Sequence, residues 1–187
     1  FRVLCIGYTP ITINDNTLIK ELKCIGILIL SDVIRQDAKT TLDYFKRQDV
    51  DIKIISGDDP VTVSAIARRC HLLNYEHYID VSSLSDKQIK EDIEKYTIFG
   101  RVSPKQKQLM VNALQENNHT VAMTGDGVND VLALKAADCS IAMASGSDAA
   151  KSASHIVLLK NNFNAMPHIV NEGRRVINNI TASASMY

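Results

Sequence analysis

Short apolar runs alternate with helix-period segments along most of this chain, and that alternation admits few architectures. Ile25-Gly26-Ile27-Leu28-Ile29-Leu30 is a continuous apolar run, the pattern of a strand covered on both faces. A helical face of Ala38, Thr41, Leu42 and Phe45 follows, then a second strand at Ile52-Lys53-Ile54-Ile55. Asp59 is placed to cap the next helix, with Pro60 in its first turn and Val63, Ile66, Ala67 and Cys70 as its stripe. Ser85-Asp86-Lys87-Gln88 reads as a capping box ahead of Ile89 and Ile93. Further strands are expected at Tyr96–Gly100, Thr120–Ala122, Ser140–Met143 and His155–Leu159, with a helix opened by Ser103-Pro104 between the first two. A last helix carries Ile169, Val170, Gly173, Val176, Ile177 and Ile180. The pattern predicts an α/β fold: a three-layer, mostly parallel, Rossmann-like sheet with helices on both faces.

Composition narrows the function classes. The 187 residues suit one α/β domain with part of another, and the formal net charge is +0. No basic face or like-charge block speaks for nucleic acid as a partner. Cys5, Cys24, Cys70 and Cys139 are far apart, which argues against structural zinc or a compact disulfide framework and for reduced cytosolic thiols. No signal peptide is visible, and the apolar run Cys24–Leu30 is too short to span a bilayer, so the chain as it stands is expected to be soluble.

Ligands of such a sheet gather beyond the C-terminal ends of its strands. There the sequence places Ser31-Asp32, Ser56-Gly57-Asp58-Asp59, Arg101 with Lys107 on the following helix, and Met123-Thr124-Gly125-Asp126-Gly127-Val128-Asn129-Asp130. Asp126 and Asp130 lie four residues apart, so one turn can aim both at a point beyond the strand. Paired carboxylates suit a hard divalent cation such as Mg²⁺. Together with a hydroxyl, glycine-flanked amides and two cations, they match what phosphoryl transfer requires.

Each element alone has a plainer reading. Ser56-Gly57-Asp58 can be a turn and cap, Lys107 a solvated helix lysine, Asp32 and Arg35 a weak surface pair, and Asp126 a cap. Gly125-Asp126-Gly127 also echoes a dinucleotide fingerprint. There, however, Asp130 replaces the third glycine and a carboxylate would repel a bare pyrophosphate. The ordered arrangement along successive strands is what favours a joint site.

Met123 to Met143, with Ser56-Gly57-Asp58 and Arg101-Val102-Ser103-Pro104-Lys105-Gln106-Lys107, resembles the phosphorylation domain of P-type cation-transporting ATPases, a haloacid-dehalogenase-like fold. The similarity runs from about Ile25 to Tyr187, and Thr-Gly-Asp-Gly-Val-Asn-Asp is its most specific signature. The resemblance implies that Asp126 binds Mg²⁺, with Asn129 and Asp130 completing the phosphate and metal environment. It implies further that Lys107 contacts the transferred phosphoryl group, that Ser56 offers its hydroxyl and Gly57 an amide to that phosphate, and that Asp58 and Arg101 approach ATP. Asp32 and Arg35 match the ends of a hinge motif. The implied organisation is 1–24 as the tail of a nucleotide-binding domain with the hinge, 25–164 as the phosphorylation domain, and 165–187 as a stalk helix leading towards the membrane.

The chain also departs from that family. Val33 and Ile34 stand where two prolines are usual, Ala149 replaces a valine, and Lys160-Asn161-Asn162-Phe163 lacks an acidic residue. These departures fit a divergent bacterial branch resembling calcium or magnesium transporters. The phosphorylated Asp-Lys-Thr-Gly-Thr motif does not occur, and Asp49-Val50-Asp51 precedes its strand, at the wrong end. The expectation is therefore a cytosolic piece of a larger membrane pump, inactive by itself, whose partners are ATP, the transported cation and the pump's remaining domains. A soluble haloacid-dehalogenase-type phosphatase, a receiver-type signalling domain and a non-enzymatic metal- or nucleotide-binding module are the alternatives.

Overall fold

In a computed structural model describing residues 2–10, 22–30, 34–160 and 162–186, the chain divides into two units, Phe1–Arg35 and Gln36–Tyr187. The first is a two-stranded antiparallel sheet of β1 (Arg2–Tyr8) and β2 (Lys23–Leu30). This corrects the reading of Ile25–Leu30 as a strand covered on both faces within a parallel sheet. Ile25, Ile27 and Ile29 are 69%, 65% and 62% exposed, and Leu28 and Leu30 on the other face are each 45% exposed. An apolar run marks a strand but names no partner, and the partner here is another apolar strand, Val3-Leu4-Cys5-Ile6. The boundary between the two units falls after Arg35.

The second unit alternates strands and helices as the periodicity requires. α1 (Ala38–Arg47), β3 (Ile54–Ile55), α2 (Pro60–Arg69), β4 (Tyr78–Asp80), α3 (Asp86–Asp92), β5 (Ile98–Gly100) and α4 (Pro104–Glu116) make its first half. β6 (Ala122–Gly125), a 3₁₀ turn at Val128–Asp130, α5 (Val131–Ala136), β7 (Cys139–Met143), α6 (Asp148–Ala153), β8 (Ile156–Leu158) and α7 (Met166–Ala184) make the rest. The strands form two parallel three-stranded sheets, ordered β3-β5-β4 and β6-β7-β8. β4, with the sequence Tyr-Ile-Asp, is too short and too polar for periodicity to reveal.

Local chemistry sets the helix starts. Asp59 accepts hydrogen bonds from the Val61 and Thr62 amides with Pro60 at the first helical position, so α2 begins where the sequence places it. Ser85 with Gln88, and Ser103 with Gln106, form reciprocal capping boxes for α3 and α4. Ile89, Ile93, Ile98, Phe99 and Met110 are fully buried. Each such side chain contributes about 1.5–3 kcal/mol of transfer free energy.

α4 joins the two halves. Met110 packs with Phe99 and Ile93, whereas its neighbour Val111 packs with Met123 and Leu134 behind the other sheet. A helix clamped on both sides cannot roll, and this fixes the direction in which its first turn presents Lys107.

Candidate functional site

The C-terminal ends of β3 and β6, each an edge strand of its own sheet, open onto one cleft of about 340 Å³. Ile55, Ser56 and Gly57 line it from the first sheet, and Met123, Thr124, Gly125 and Asp126 from the second, with Lys107, Asp130 and Met143 closing the wall. Five residues expected on one site are thus brought together: Ser56, Gly57, Lys107, Asp126 and Asp130.

The Gly125–Asp130 segment is a turn folded around a carboxylate. Asp130 Oδ2 accepts hydrogen bonds from the Gly127 amide at 3.1 Å and the Asp126 amide at 3.3 Å, while Oδ1 takes the Lys107 ammonium at 2.6 Å. Both side chains of that ion pair are 11% exposed. The glycine at 125 is demanded by approach rather than by dihedral, since a Cβ there would lie 2.6 Å from the Asp130 Cβ. Lys107 sits in the first turn of α4, where a cation opposes the helix dipole. Asp130 offsets that unfavourable placement.

Geometry therefore divides two carboxylates that their spacing alone leaves equivalent. Asp130 is buried and committed to Lys107 and its own turn. The Asp126 carboxylate is exposed and has no hydrogen-bond or ion-pair partner among the described residues. No group of three or more His, Cys, Asp or Glu among the described residues is arranged as a metal cage. One open carboxylate fits Mg²⁺ nonetheless, because that ion retains several waters and binds through one or two carboxylates and substrate phosphates.

Across the cleft, Ser56 is tied into the sheet, its amide donating to the Phe99 carbonyl and its carbonyl accepting from the Val102 amide. Its Oγ accepts from the Asp58 amide, which leaves the hydroxyl proton available to donate. The Gly57 amide makes no hydrogen bond among the described residues, and a Cβ there would meet only the Val102 carbonyl oxygen, at 4.0 Å.

The other expected site residues lie elsewhere. Arg101, at φ 55°, spans Asp59 at 3.1 Å and Asp80 at 3.5 Å, and its amide donates to the Asp58 carbonyl. Asp58 and Arg101 thus stand together beside the cleft without lining it. The Asp80 carboxyl is held below its usual range, chiefly by the Ser82 hydroxyl and amide and less by Arg101. Asn129 is exposed in the 3₁₀ turn and does not line the cleft either. Arg35 closes the first unit, and Asp32 lies outside the described residues.

Sequence reasoning missed a buttress. The Ser147 amide donates to the Asp126 carbonyl at 2.8 Å, and a Cβ on Gly146 would come within 2.8 Å of that oxygen. Gly146-Ser147 therefore braces the turn that carries Asp126, while Ser147 Oγ caps α6. Gly146 to Lys151 keeps the glycine, acid and lysine of a later motif of the resembled family, but nothing local ties it to residues twenty positions upstream.

Comparison with known proteins places the chain in a family. Residues 9–138 match the family model for haloacid dehalogenase-like hydrolases. A probable cation-transporting ATPase of Streptococcus pneumoniae is 48% identical over 167 residues, 89% of this chain and 22% of that protein. The calcium-transporting ATPase CtpE of Mycobacterium bovis is 44% identical over the whole chain, which covers 23% of it. The chain thus spans about a quarter or less of the length of these relatives. Among solved structures, a zinc-transporting PIB-type ATPase in its E2·Pi state aligns with TM-score 0.67 at 28% identity, over 85% of this chain and 22% of that one. The catalytic domain of the CPx-ATPase CopB aligns with TM-score 0.59 at 27% identity, over 81% of this chain and 50% of that one. The chain belongs to the haloacid dehalogenase-like hydrolase family, as the phosphorylation-domain region of a P-type cation-transporting ATPase.

Proposed function

We propose that this chain supplies the magnesium- and phosphate-contacting half of a site that forms and hydrolyses an aspartyl-phosphate, within an ATP-driven cation pump. The observation that carries this reading is the convergence of Ser56, Gly57, Lys107 and Asp126 on one cleft between two edge strands. Because β3 and β6 both border that cleft, a further parallel strand between them would bring a nucleophilic aspartate from outside this chain to its mouth.

Each residue then has a defined task. Lys107, held by Asp130 through one of its three donors, presents the others to the phosphoryl oxygens. The Ser56 hydroxyl and Gly57 amide donate from the opposite wall. Asp126 would hold Mg²⁺ through its carboxylate, and that ion would supply charge neutralisation for the phosphoryl oxygens. Asp58, Arg101 and Asn129, at the rim, approach the nucleotide. Asp32 and Arg35 form a hinge to a nucleotide-binding domain, and α7 acts as the stalk. Exposed Val176, Ile177 and Ile180 along one side of α7 suit packing against the rest of a pump. No helix among the described residues is long and apolar enough to cross a membrane. The calcium cargo named for relatives such as CtpE supports a divalent cation as cargo here.

The test is phosphoenzyme formation. In the intact pump, Asp126→Asn abolishes labelling from ATP, and normal labelling in magnesium overturns the metal role. The chain alone should take up no phosphate from acetyl phosphate. A stable aspartyl-phosphate on it would favour the free-standing phosphatase or receiver reading.

A further inference from the structure

Two of the four cysteines, nineteen residues apart in sequence, meet across the first unit's sheet. Cys5 Sγ lies 3.2 Å from Cys24 Sγ, and both residues are exposed. The β1–β2 register explains the encounter. Gly7 pairs with Cys24 and Ile6 with Gly26, so Ile25 is an extra residue bulging from β2. Cys24 thereby shares a face with Gly7 and, two residues back along β1, with Cys5. Gly7 puts no side chain between them, and Leu22 occupies the space its Cβ would need, 2.4 Å away.

We propose that Cys5 and Cys24 form a reversible disulfide that staples β1 to β2 when the glutathione pool becomes oxidising. The sulfurs need to close by only about an ångström to reach the bonded separation of roughly 2.05 Å. The Cys5 thiol titrates above its ordinary value, first because its hydrogen bond with Cys24 favours the protonated form. Cys5, whose proton that contact holds, is the resolving sulfur, and Cys24 attacks first. Its thiolate attacks one sulfur of glutathione disulfide, breaking that S–S bond and releasing one glutathione thiolate. Cys5 then loses its proton and attacks Cys24 Sγ of the mixed disulfide, expelling the second glutathione thiolate. Two protein thiols are oxidised, one glutathione disulfide is reduced, and the two released protons end on the two glutathione thiols. An exposed pair joined across adjacent strands belongs to the labile, regulatory class of disulfides rather than the structural one.

Cys70 and Cys139 are internal controls, since both are half-buried and burial pushes the Cys70 thiol up. The experiment incubates the 187-residue chain in glutathione buffers of increasing oxidised fraction, quenches with acid, alkylates and maps peptides. The expected result is loss of two of the four alkylatable thiols, a Cys5–Cys24 linked peptide within one chain, and full recovery with dithiothreitol. In Cys5→Ser, Cys24 should instead accumulate as a glutathione adduct that cannot resolve. Four thiols persisting in oxidised buffer, or links to Cys70, Cys139 or a second chain, would overturn the proposal.

Discussion

Lys107 Nζ lies 2.6 Å from Asp130 Oδ1, and the two side chains, each 11% exposed, are almost sealed from water. The pair joins the first turn of α4 to the end of the 3₁₀ turn after β6, so the cleft's cation and its acidic turn are held as one piece. Neither partner can be removed without leaving the other desolvated.

Lys107→Met or Asp130→Asn should each cost about 3 kcal/mol of stability, the usual penalty for stranding half of a buried pair. The double variant should lose less than the sum, with a coupling energy of about 1–3 kcal/mol. Urea denaturation of the four proteins measures this, and strictly additive losses would show that the contact is energetically idle.

Asp126→Asn should behave in the opposite way. Its carboxylate has no partner among the described residues, so stability should stay within about 0.5 kcal/mol of the parent. Phosphoenzyme formation in the intact pump should nonetheless disappear. A large stability loss in the same denaturation assay would mean that Asp126 serves the scaffold instead.

Gly125→Ala and Gly173→Ala make a contrasting pair. At position 125 the new methyl would lie 2.6 Å from Asp130 Cβ, and overpacking of that kind costs about 1–3 kcal/mol. At position 173, inside α7, nothing lies within 4 Å, so alanine should add roughly 0.5–1 kcal/mol through backbone entropy. Equal effects of the two changes on thermal unfolding would refute the close approach at Gly125.

Acid stability should depend on Asp138. Its carboxyl is held below the usual value, chiefly by the Val121 amide at 2.7 Å and next by the Gln115 side chain. A carboxylate with a depressed folded pKa stabilises the fold above its unfolded pKa, near 3.9, and that contribution vanishes as pH falls through the folded value. Melting temperature followed from pH 7 to 2.5 should show a shallower loss below about pH 4 in Asp138→Asn than in the parent. Parallel curves would exclude the linkage.

The features legible in the sequence are those made by near neighbours. Asp59-Pro60, Ser85 with Gln88, and Ser103-Pro104 start helices where the sequence places them, because a cap needs only side chains and amides two or three positions apart. The Gly125–Asp130 turn was legible for the same reason. β4 was not, because three residues carry too little periodicity to register. The pairing of Arg101 with Asp59 and Asp80 was not legible either, because those partners lie twenty or more positions away.

The sequence by itself determined the alternation of strands and helices, the helix starts and the acidic turn, all of which follow from backbone preference and local hydrogen bonding. Only the tertiary structure decided that Ile25–Leu30 pairs with β1 rather than joining a parallel sheet, because an apolar run specifies burial but not a partner. It also decided which carboxylate remains available. Asp126 and Asp130 are chemically alike along the chain, and Lys107, arriving on a helix packed between two sheets, engages one and leaves the other open.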